Sequence, residues 1–77
     1  MYDYTICSEP DEEIFKKQCK ALEKHIPNLE KTEMLVDVDS SKTQIYIKDG
    51  KQIAVHNSYY IGAVFIKSEI DIQQFFA

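Results

Sequence analysis

Apolar and polar residues alternate with a two-residue period at the start of the chain. Tyr4 and Ile6 are separated by the polar Thr5, and this alternation predicts a first strand over residues 2–7. The period then changes to the three- and four-residue spacing of a helix, and strand-like runs return from residue 34 onward. The order of periods therefore predicts one strand, one helix and then a series of strands.

The helix is delimited by capping and helix-breaking residues. Ser8 is expected to cap the first free amides, with Pro10 in the first turn, where proline is tolerated. Pro27 disfavours helical geometry at the residue before it, so the helix should end near His25. Four apolar residues, spaced by four, three and four positions, form the stripe that should be buried: Phe15, Cys19, Leu22 and Ile26.

Three strand-like runs follow at residues 34–38, 43–48 and 51–56, and two turn geometries fit the last two runs. A two-residue turn at Asp49-Gly50 would set Tyr46 opposite Ile53 and divide the isoleucines between the two sheet faces. A three-residue turn that begins at Lys48 sets Ile45 opposite Ile53 and gathers the isoleucines on one face. The three-residue turn is preferred on that ground.

The preceding turn, at residues 39–42, fits the same arrangement. A four-residue loop there sets Val36 opposite Ile45 and completes an antiparallel meander. The first strand of this meander would then contribute three residues to the buried face: Met34, Val36 and Val38.

The last strand-like run, residues 59–66, is apolar at almost every position. A tight turn at Asn57-Ser58 would direct four residues toward the helix: Tyr60, Gly62, Val64 and Ile66. The residues expected on the outer side are Tyr59, Ile61, Ala63 and Phe65.

Strands that are apolar on both faces are usually covered on both, so the outer side of this run needs a cover. A short helical turn after Ser68 is expected to bring Phe75 and Phe76 over it. A partner protein or a second copy of the chain is the alternative cover.

These elements predict a two-layer α+β domain of order β-α-β-β-β-β, with one main helix on a largely antiparallel sheet and a short C-terminal helical turn. Hydrophobic residues make up 44% of the 77 residues, which supplies the material for a core. No linker, repeat or charge block interrupts the sequence, so residues 1–77 are assigned to a single domain.

Composition disfavours nucleic-acid binding. The chain has nine basic and thirteen acidic residues, a formal net charge of −4, and every basic residue is lysine. Nucleic-acid phosphates are normally bound by clustered Lys and Arg, and bidentate contacts to phosphate or guanine require arginine. The acidic balance is better suited to a basic protein partner.

The same sequence predicts a cytoplasmic protein with no membrane partner. The first residues lack the basic and apolar segments of a signal peptide, and the longest apolar run is far shorter than the roughly 20 residues that cross a membrane. Cys7 and Cys19 are the only cysteines, whereas a small secreted domain normally has more disulfides. We therefore expect two free thiols.

No pattern of chemically active residues is specific enough to predict catalysis. Cys7 and either histidine could form a thiolate–imidazole pair, but no spacing favours this over an inert thiol. Residues 37–41 open like a calcium loop, but Lys42 and Lys48 stand where that loop needs glycine and a bidentate glutamate. Two histidines are too few for a closed zinc site. No catalytic residue, metal or cofactor is expected.

The predicted hairpins place aromatic and polar residues on the sheet face away from the helix: Gln44, Tyr46, Gln52, Ala54, His56 and Tyr59. Tyrosine combines a large apolar area with a polar tip and is enriched in interfaces, but it is also ordinary on solvated sheets. Two interpretations stay open, namely a partner surface and a solvated or self-covered face.

The expected function is a non-catalytic protein-binding module. In its narrower form this is a small acidic inhibitor, or an immunity-type protein, that blocks a basic partner such as a nuclease. The residues expected to contact the partner are Tyr46, His56, Tyr59, Asp37 and Asp39. The alternatives are a small thiol- or histidine-dependent enzyme and a self-associating structural subunit, for which a homo-oligomer is expected.

Overall fold

One helix packs on one face of a five-stranded antiparallel sheet in the computed structural model, which describes residues 1–76. The elements are β1 (Tyr2–Cys7), α1 (Glu12–His25), β2 (Glu30–Val36), β3 (Lys42–Lys48), β4 (Lys51–Ser58), β5 (Ala63–Ser68) and a final 3-10 turn (Gln73–Phe75). The strand order is β1-β5-β4-β3-β2, so β1 and β2 are the edges and β4 is central. The predicted two-layer α+β fold is confirmed.

The helix begins at a cap different from the predicted one. Asp11 has extended backbone geometry, and its carboxylate accepts a hydrogen bond from the Ile14 amide at 3.1 Å. The prediction of Ser8 as the cap is wrong. Pro10 disfavours helical geometry at the residue before it, so the helix starts only after Pro10. The Asp11 amide donates to Asn57 Oδ1 at 3.0 Å, which ties the start of α1 to β4.

The predicted helix stripe is confirmed, since all four of its members are buried. The helix ends at His25, and the Ile26 amide closes the last turn by donating to the Leu22 carbonyl at 3.0 Å. The stripe packs against sheet residues and one residue of the C-terminal segment, which together form a single core: Phe15, Cys19, Leu22, Ile26, Tyr46, Ile53, Val55, Ile66 and Ile72.

A two-residue turn at Asp49-Gly50 sets the register between β3 and β4. Lys48 lies opposite Lys51, and Tyr46 lies opposite Ile53. Asp49 and Gly50 have φ of 51° and 79°, as the twist-matched type I′ turn requires. The prediction of a three-residue turn here is wrong, and Tyr46 faces the helix in place of the neighbouring isoleucines.

A three-residue turn occurs instead between β2 and β3. The Asp37 amide donates to the Ser41 carbonyl at 2.8 Å, and Ser40 has a φ of 72°. Val36 consequently lies opposite Lys42, so the predicted four-residue loop is wrong. This turn has one residue more than a two-residue hairpin turn. The left-handed backbone of Ser40, just before β3, accommodates it.

The predicted burial of the apolar residues of β2 is also wrong. Met34 and Val36 are 45% and 62% exposed, and Val38, which lies in the loop after β2, is 102% exposed. Five strands at a spacing of about 4.8 Å make a sheet about 19 Å wide between its outer strands, whereas a helix is about 10–12 Å in diameter. The helix contacts the central β4, and the edge strand β2 lies outside the area that one helix can cover.

The faces of β5 itself are as predicted, but Tyr60 is 92% exposed in the turn before β5, so its predicted place on the helix side is wrong. Val64 and Ile66 are buried on the helix side, and Phe65 points to the other side, where it lies opposite His56. The chain turns over residues 59–62, and the Gly62 amide donates to the Ser58 carbonyl at 2.9 Å. The tight turn predicted at residues 57–58 is therefore wrong.

The C-terminal helical turn is confirmed, but it does not cover the outer sheet face. Ile72 is buried in the core beneath the helix, and Phe75 packs against the same core. The Phe76 ring lies 5.0 Å from the ring of His25, at the end of α1. The prediction that Phe75 and Phe76 cover the outer side of β5 is wrong, because Ile72 draws the segment to the helix side.

The turn assignment predicts the effect of one substitution. Gly50→Ala should lower the free energy of unfolding by about 1 kcal/mol, because alanine is strained at positive φ. A Cβ on Gly50 would meet no atom within 4 Å, so the backbone alone should account for the loss. Urea denaturation measures the change, and Asp49→Asn is the control, since asparagine tolerates the left-handed region. Unchanged stability in Gly50→Ala would contradict the two-residue turn.

The core assignment predicts unequal reactivity of the two thiols. Cys19 is 8% exposed in the core and Cys7 is partly exposed at the end of β1, and burial raises the pKa of the Cys19 thiol. Cys19 should therefore react with a thiol reagent only as fast as the fold opens, and more slowly than Cys7. The variants Cys7→Ser and Cys19→Ser isolate each thiol. Rapid labelling of Cys19 in the native protein would refute the buried stripe.

Candidate functional site

The sheet face opposite the helix, here called the open face, is crossed by a row of four residues that ends in Leu35 and Phe65 and has polar residues at its centre. It is called the apolar row after these two ends. Strand pairing sets Leu35 of β2 opposite Thr43, Thr43 opposite His56, and His56 opposite Phe65. Ile45 and Ala54 lie side by side in the adjacent row. The open face is defined by these residues: Leu35, Thr43, Ile45, Ala54, His56 and Phe65.

The centre of the open face is held by contacts between neighbouring strands. The rings of His56 and Phe65 stack with centroids 4.7 Å apart and an interplanar angle of 17°. His56 Nδ1 lies 2.9 Å from the Thr43 hydroxyl, and the neutral imidazole can accept that hydrogen bond. Burial lowers the pKa of His56, and the nearby Lys67 ammonium lowers it further. The row therefore presents a neutral, ordered aromatic pair.

A cleft of about 510 Å³ lies at one end of the open face, beside the β2–β3 loop and the β4–β5 turn. Its lining includes the apolar row together with Asp37, Asp39 and Tyr60. Hydrogen bonding of the Asp39 carboxylate by the Ser41 amide, at 2.9 Å, lowers the pKa of Asp39 and keeps it ionised. Ser41 Oγ accepts the Tyr59 amide at 2.8 Å, so the two loops are joined.

Three of the five residues expected to contact a partner lie together around this cleft. His56 is at the centre of the open face, and Asp37 and Asp39 are at its rim. Tyr59 is 51% exposed in the adjoining β4–β5 turn, although it does not line the cleft. The structure therefore groups the histidine and the two aspartates and leaves Tyr59 at the margin.

Tyr46 is placed differently from the prediction. It is fully buried beneath α1, and its hydroxyl donates to the Glu23 carboxylate at 2.5 Å. Burial, followed by the hydrogen bond to Glu23, raises its pKa well above the usual tyrosine range. The expected placement of Tyr46 and Gln44 on the outer face is wrong, because the two-residue turn shifts the phase of β3 by one residue.

Several residues of the open face were missed by the sequence reasoning: Leu35, Thr43 and Ile45, together with Lys67 beside them. The dipeptide Asp49-Gly50 was the signal that could have found Thr43 and Ile45, because it strongly favours the two-residue hairpin turn. That turn directs Thr43 and Ile45 outward, whereas the separate three-residue turn between β2 and β3 sets Leu35 beside Thr43.

The structure does not bring a catalytic thiol to His56. Cys7 lies opposite Val64, which is buried on the helix side, whereas His56 lies opposite Phe65 on the open face. Within the described part of the chain, residues 1–76, no group of three or more His, Cys, Asp and Glu side chains is placed to hold a metal ion. No described helix is long and apolar enough to cross a bilayer.

The chain was compared with protein families, curated proteins and solved structures. No family model, no curated protein and no solved structure matches it.

The position of His56 predicts a titration with a definite direction. Because burial and Lys67 disfavour the charged ring, the NMR titration midpoint of His56 should lie below the ordinary value of about 6.5. The unfolded chain then binds more protons between the folded pKa and about 6.5, so stability should rise with pH across that window and fall on acidification.

Two variants test the cause of this shift. Lys67→Gln should move the His56 midpoint upward, because it removes the neighbouring positive charge. His56→Gln should remove the corresponding part of the pH dependence of unfolding measured in urea. A midpoint at or above about 6.5 in the unmodified protein would show that the ring is solvated and the open face differently packed.

Proposed function

We propose that this chain is a non-catalytic protein-binding domain whose open face and cleft bind a basic surface of a partner protein. The observation that supports this most directly is the uncharged row from Leu35 to Phe65, exposed or half-buried along its length, with carboxylates at its rim. A core of apolar and aromatic side chains inside a polar rim is the usual anatomy of a protein interface.

The charges around the open face favour a basic partner. Asp37 and Asp39 line the cleft, and Asp3 and Glu69 line the neighbouring depressions of the same face. Lys42 also lines the cleft, but its ammonium is engaged by the Glu12 carboxylate at 2.5 Å. Among the lysines of this face in residues 1–76, only Lys67 forms no salt bridge. The face is therefore acidic, which suits a partner rich in Lys and Arg.

The ordered aromatic pair is the natural anchor of such an interface. The stack of His56 on Phe65 and the hydrogen bond to Thr43 limit the motion of the ring before any partner arrives. Preorganised aromatic groups lose little conformational entropy on binding, so they contribute more of their contact energy to affinity. Tyr59, exposed in the neighbouring turn, extends the same surface.

The narrower form of the proposal is an inhibitor or immunity-type protein that blocks a basic enzyme such as a nuclease. Enzymes that act on nucleic acids concentrate Lys and Arg around the phosphate path. A small acidic domain with carboxylates at the rim of its open face has a charge complementary to such a path.

Charge-neutral variants test the role of the rim. A partner is first isolated from native lysate, and association rates are then measured at several salt concentrations. Asp37→Asn with Asp39→Asn should slow association and weaken its salt dependence, because the rim charge steers a basic protein. Asparagine can still accept the hydrogen bonds that the two aspartates receive from Val38 and Ser41.

The matched control is Glu9→Gln with Glu13→Gln, which removes the same charge from exposed positions at the start of the helix. The control should leave association near the unmodified rate. His56→Ala or Tyr59→Ala should weaken the complex, by roughly 2 kcal/mol or more if either is a binding hot spot. If the Asp37/Asp39 and Glu9/Glu13 double variants slow association equally, net charge rather than the open face directs binding.

The competing functions give different results in the same experiments. A thiol enzyme would lose a measurable activity in Cys7→Ser while the open-face variants bind normally. A self-associating subunit would show a concentration-dependent mass in light scattering with no partner present. Either result would contradict the binding-domain proposal.

A further inference from the structure

The outer side of the edge strand β2 has an uncharged half that no other strand pairs. Every residue of β2 is exposed, although β3 pairs along its inner side. The first half carries Glu30, Lys31 and Glu33 and a β-bulge, all of which discourage pairing at an edge. The second half is Met34-Leu35-Val36, which has neither charge nor bulge.

The hydrogen-bond alternation of the hairpin shows which backbone groups of β2 are free. The Asp37 amide donates to the Ser41 carbonyl, so Asp37 and Ser41 form a hydrogen-bonded pair. In an antiparallel ladder such pairs alternate with non-bonded pairs, which makes Leu35 and Thr43 the next bonded pair. The N–H and C=O groups of Met34 and Val36 therefore point away from the sheet.

The charges beside this half-strand identify the kind of strand that can pair with it. Glu33 and Asp37 flank it, and Asp39 follows in the loop. Two lysines lie nearby, and a carboxylate offsets the charge of each: Lys42, opposite Val36, is bound by Glu12 at 2.5 Å, and Lys31 lies 3.5 Å from Glu23. Antiparallel pairing with a second copy, centred on Leu35, would set Glu33 opposite Asp37 twice, and like charges directly opposite are destabilising.

We infer that the Met34–Val36 edge accepts an extended, basic segment of the partner as a sixth strand. This inference rests on the proposed function and adds how the partner is held. The added strand bonds to the free backbone groups of Met34 and Val36, and lysines or arginines on both sides of its apolar residues meet Glu33 and Asp37. Leu35 belongs to both this edge and the open face, so the sixth strand extends the apolar row.

The probe is a synthetic peptide with blocked ends, of sequence Lys-Lys-Val-Thr-Val-Thr-Val-Lys-Lys. Its binding is measured through NMR amide exchange in the whole protein. The Met34 and Val36 amides should exchange rapidly in the free protein and about tenfold more slowly when roughly 90% of the protein is bound. The Leu35 amide, already bonded to β3, should change little. A peptide with Glu in place of every Lys should bind much more weakly.

Two variants at one position separate strand addition from general attraction. Val36→Pro removes an outward N–H, a change that edge strands tolerate. It should abolish the peptide-induced protection of the Met34 amide while the protein stays folded. Val36→Thr keeps the donor and similar bulk, and it should preserve the protection. The spectrum of each variant reports whether the fold is intact.

Several results would overturn the inference. They are no binding of the lysine peptide, equal binding by Val36→Pro, equal binding of the glutamate peptide, and protection of Met34 and Val36 at high protein concentration without peptide. The last would identify a second copy as the occupant. Peptide-induced shifts confined to His56 and Phe65 would also refute strand addition, yet leave the open face as the binding surface. The proposed function is tested separately, by the association rates of the Asp37 and Asp39 variants with the intact partner.

Discussion

The pairing of β3 with β4 through the turn at Asp49-Gly50 determines which side chains meet the helix. Strand side chains alternate between faces, so a shift of one residue would exchange every side chain of β3 between the core and the open face. In the observed register Tyr46 enters the core and bonds to Glu23 of α1, while Ile45 is left outside. The residues that β3 gives to the core and to the open face therefore follow from one backbone constraint.

The size of a single helix explains why that open face persists. The stripe of α1 fills the centre of one side, and Asn57 holds the helix start over β4 through the Asp11 amide. The C-terminal segment adds Ile72 to the same core, so both covering elements lie on one side of the sheet. Residues 1–76 form no second α-helix that could bury the opposite side of the sheet. The domain thus keeps an apolar row in contact with solvent.

The sequence predicts some elements well because only one arrangement satisfies their pattern. The stripe of α1 has a single helical phase, and the two faces of β5 follow from alternation alone. In β3 the residues Ile45, Tyr46 and Ile47 are all apolar, so hydrophobicity cannot select the buried one. Counting isoleucines gave the wrong phase and misplaced Tyr46, whereas the turn dipeptide carried the decisive information. His56, Asp37 and Asp39 were predictable as surface residues, but their meeting at one cleft depends on that register.

An exposed apolar row and an uncharged strand edge both promote association between copies of a protein. In this chain each feature lies among carboxylates, with Asp37 and Asp39 beside the cleft and Glu33 beside the edge. Copies that approached through these surfaces would bring like charges together, and the formal net charge of −4 adds to that repulsion. The same carboxylates attract a basic surface. The arrangement of charge therefore opposes self-association at the features that would otherwise cause it.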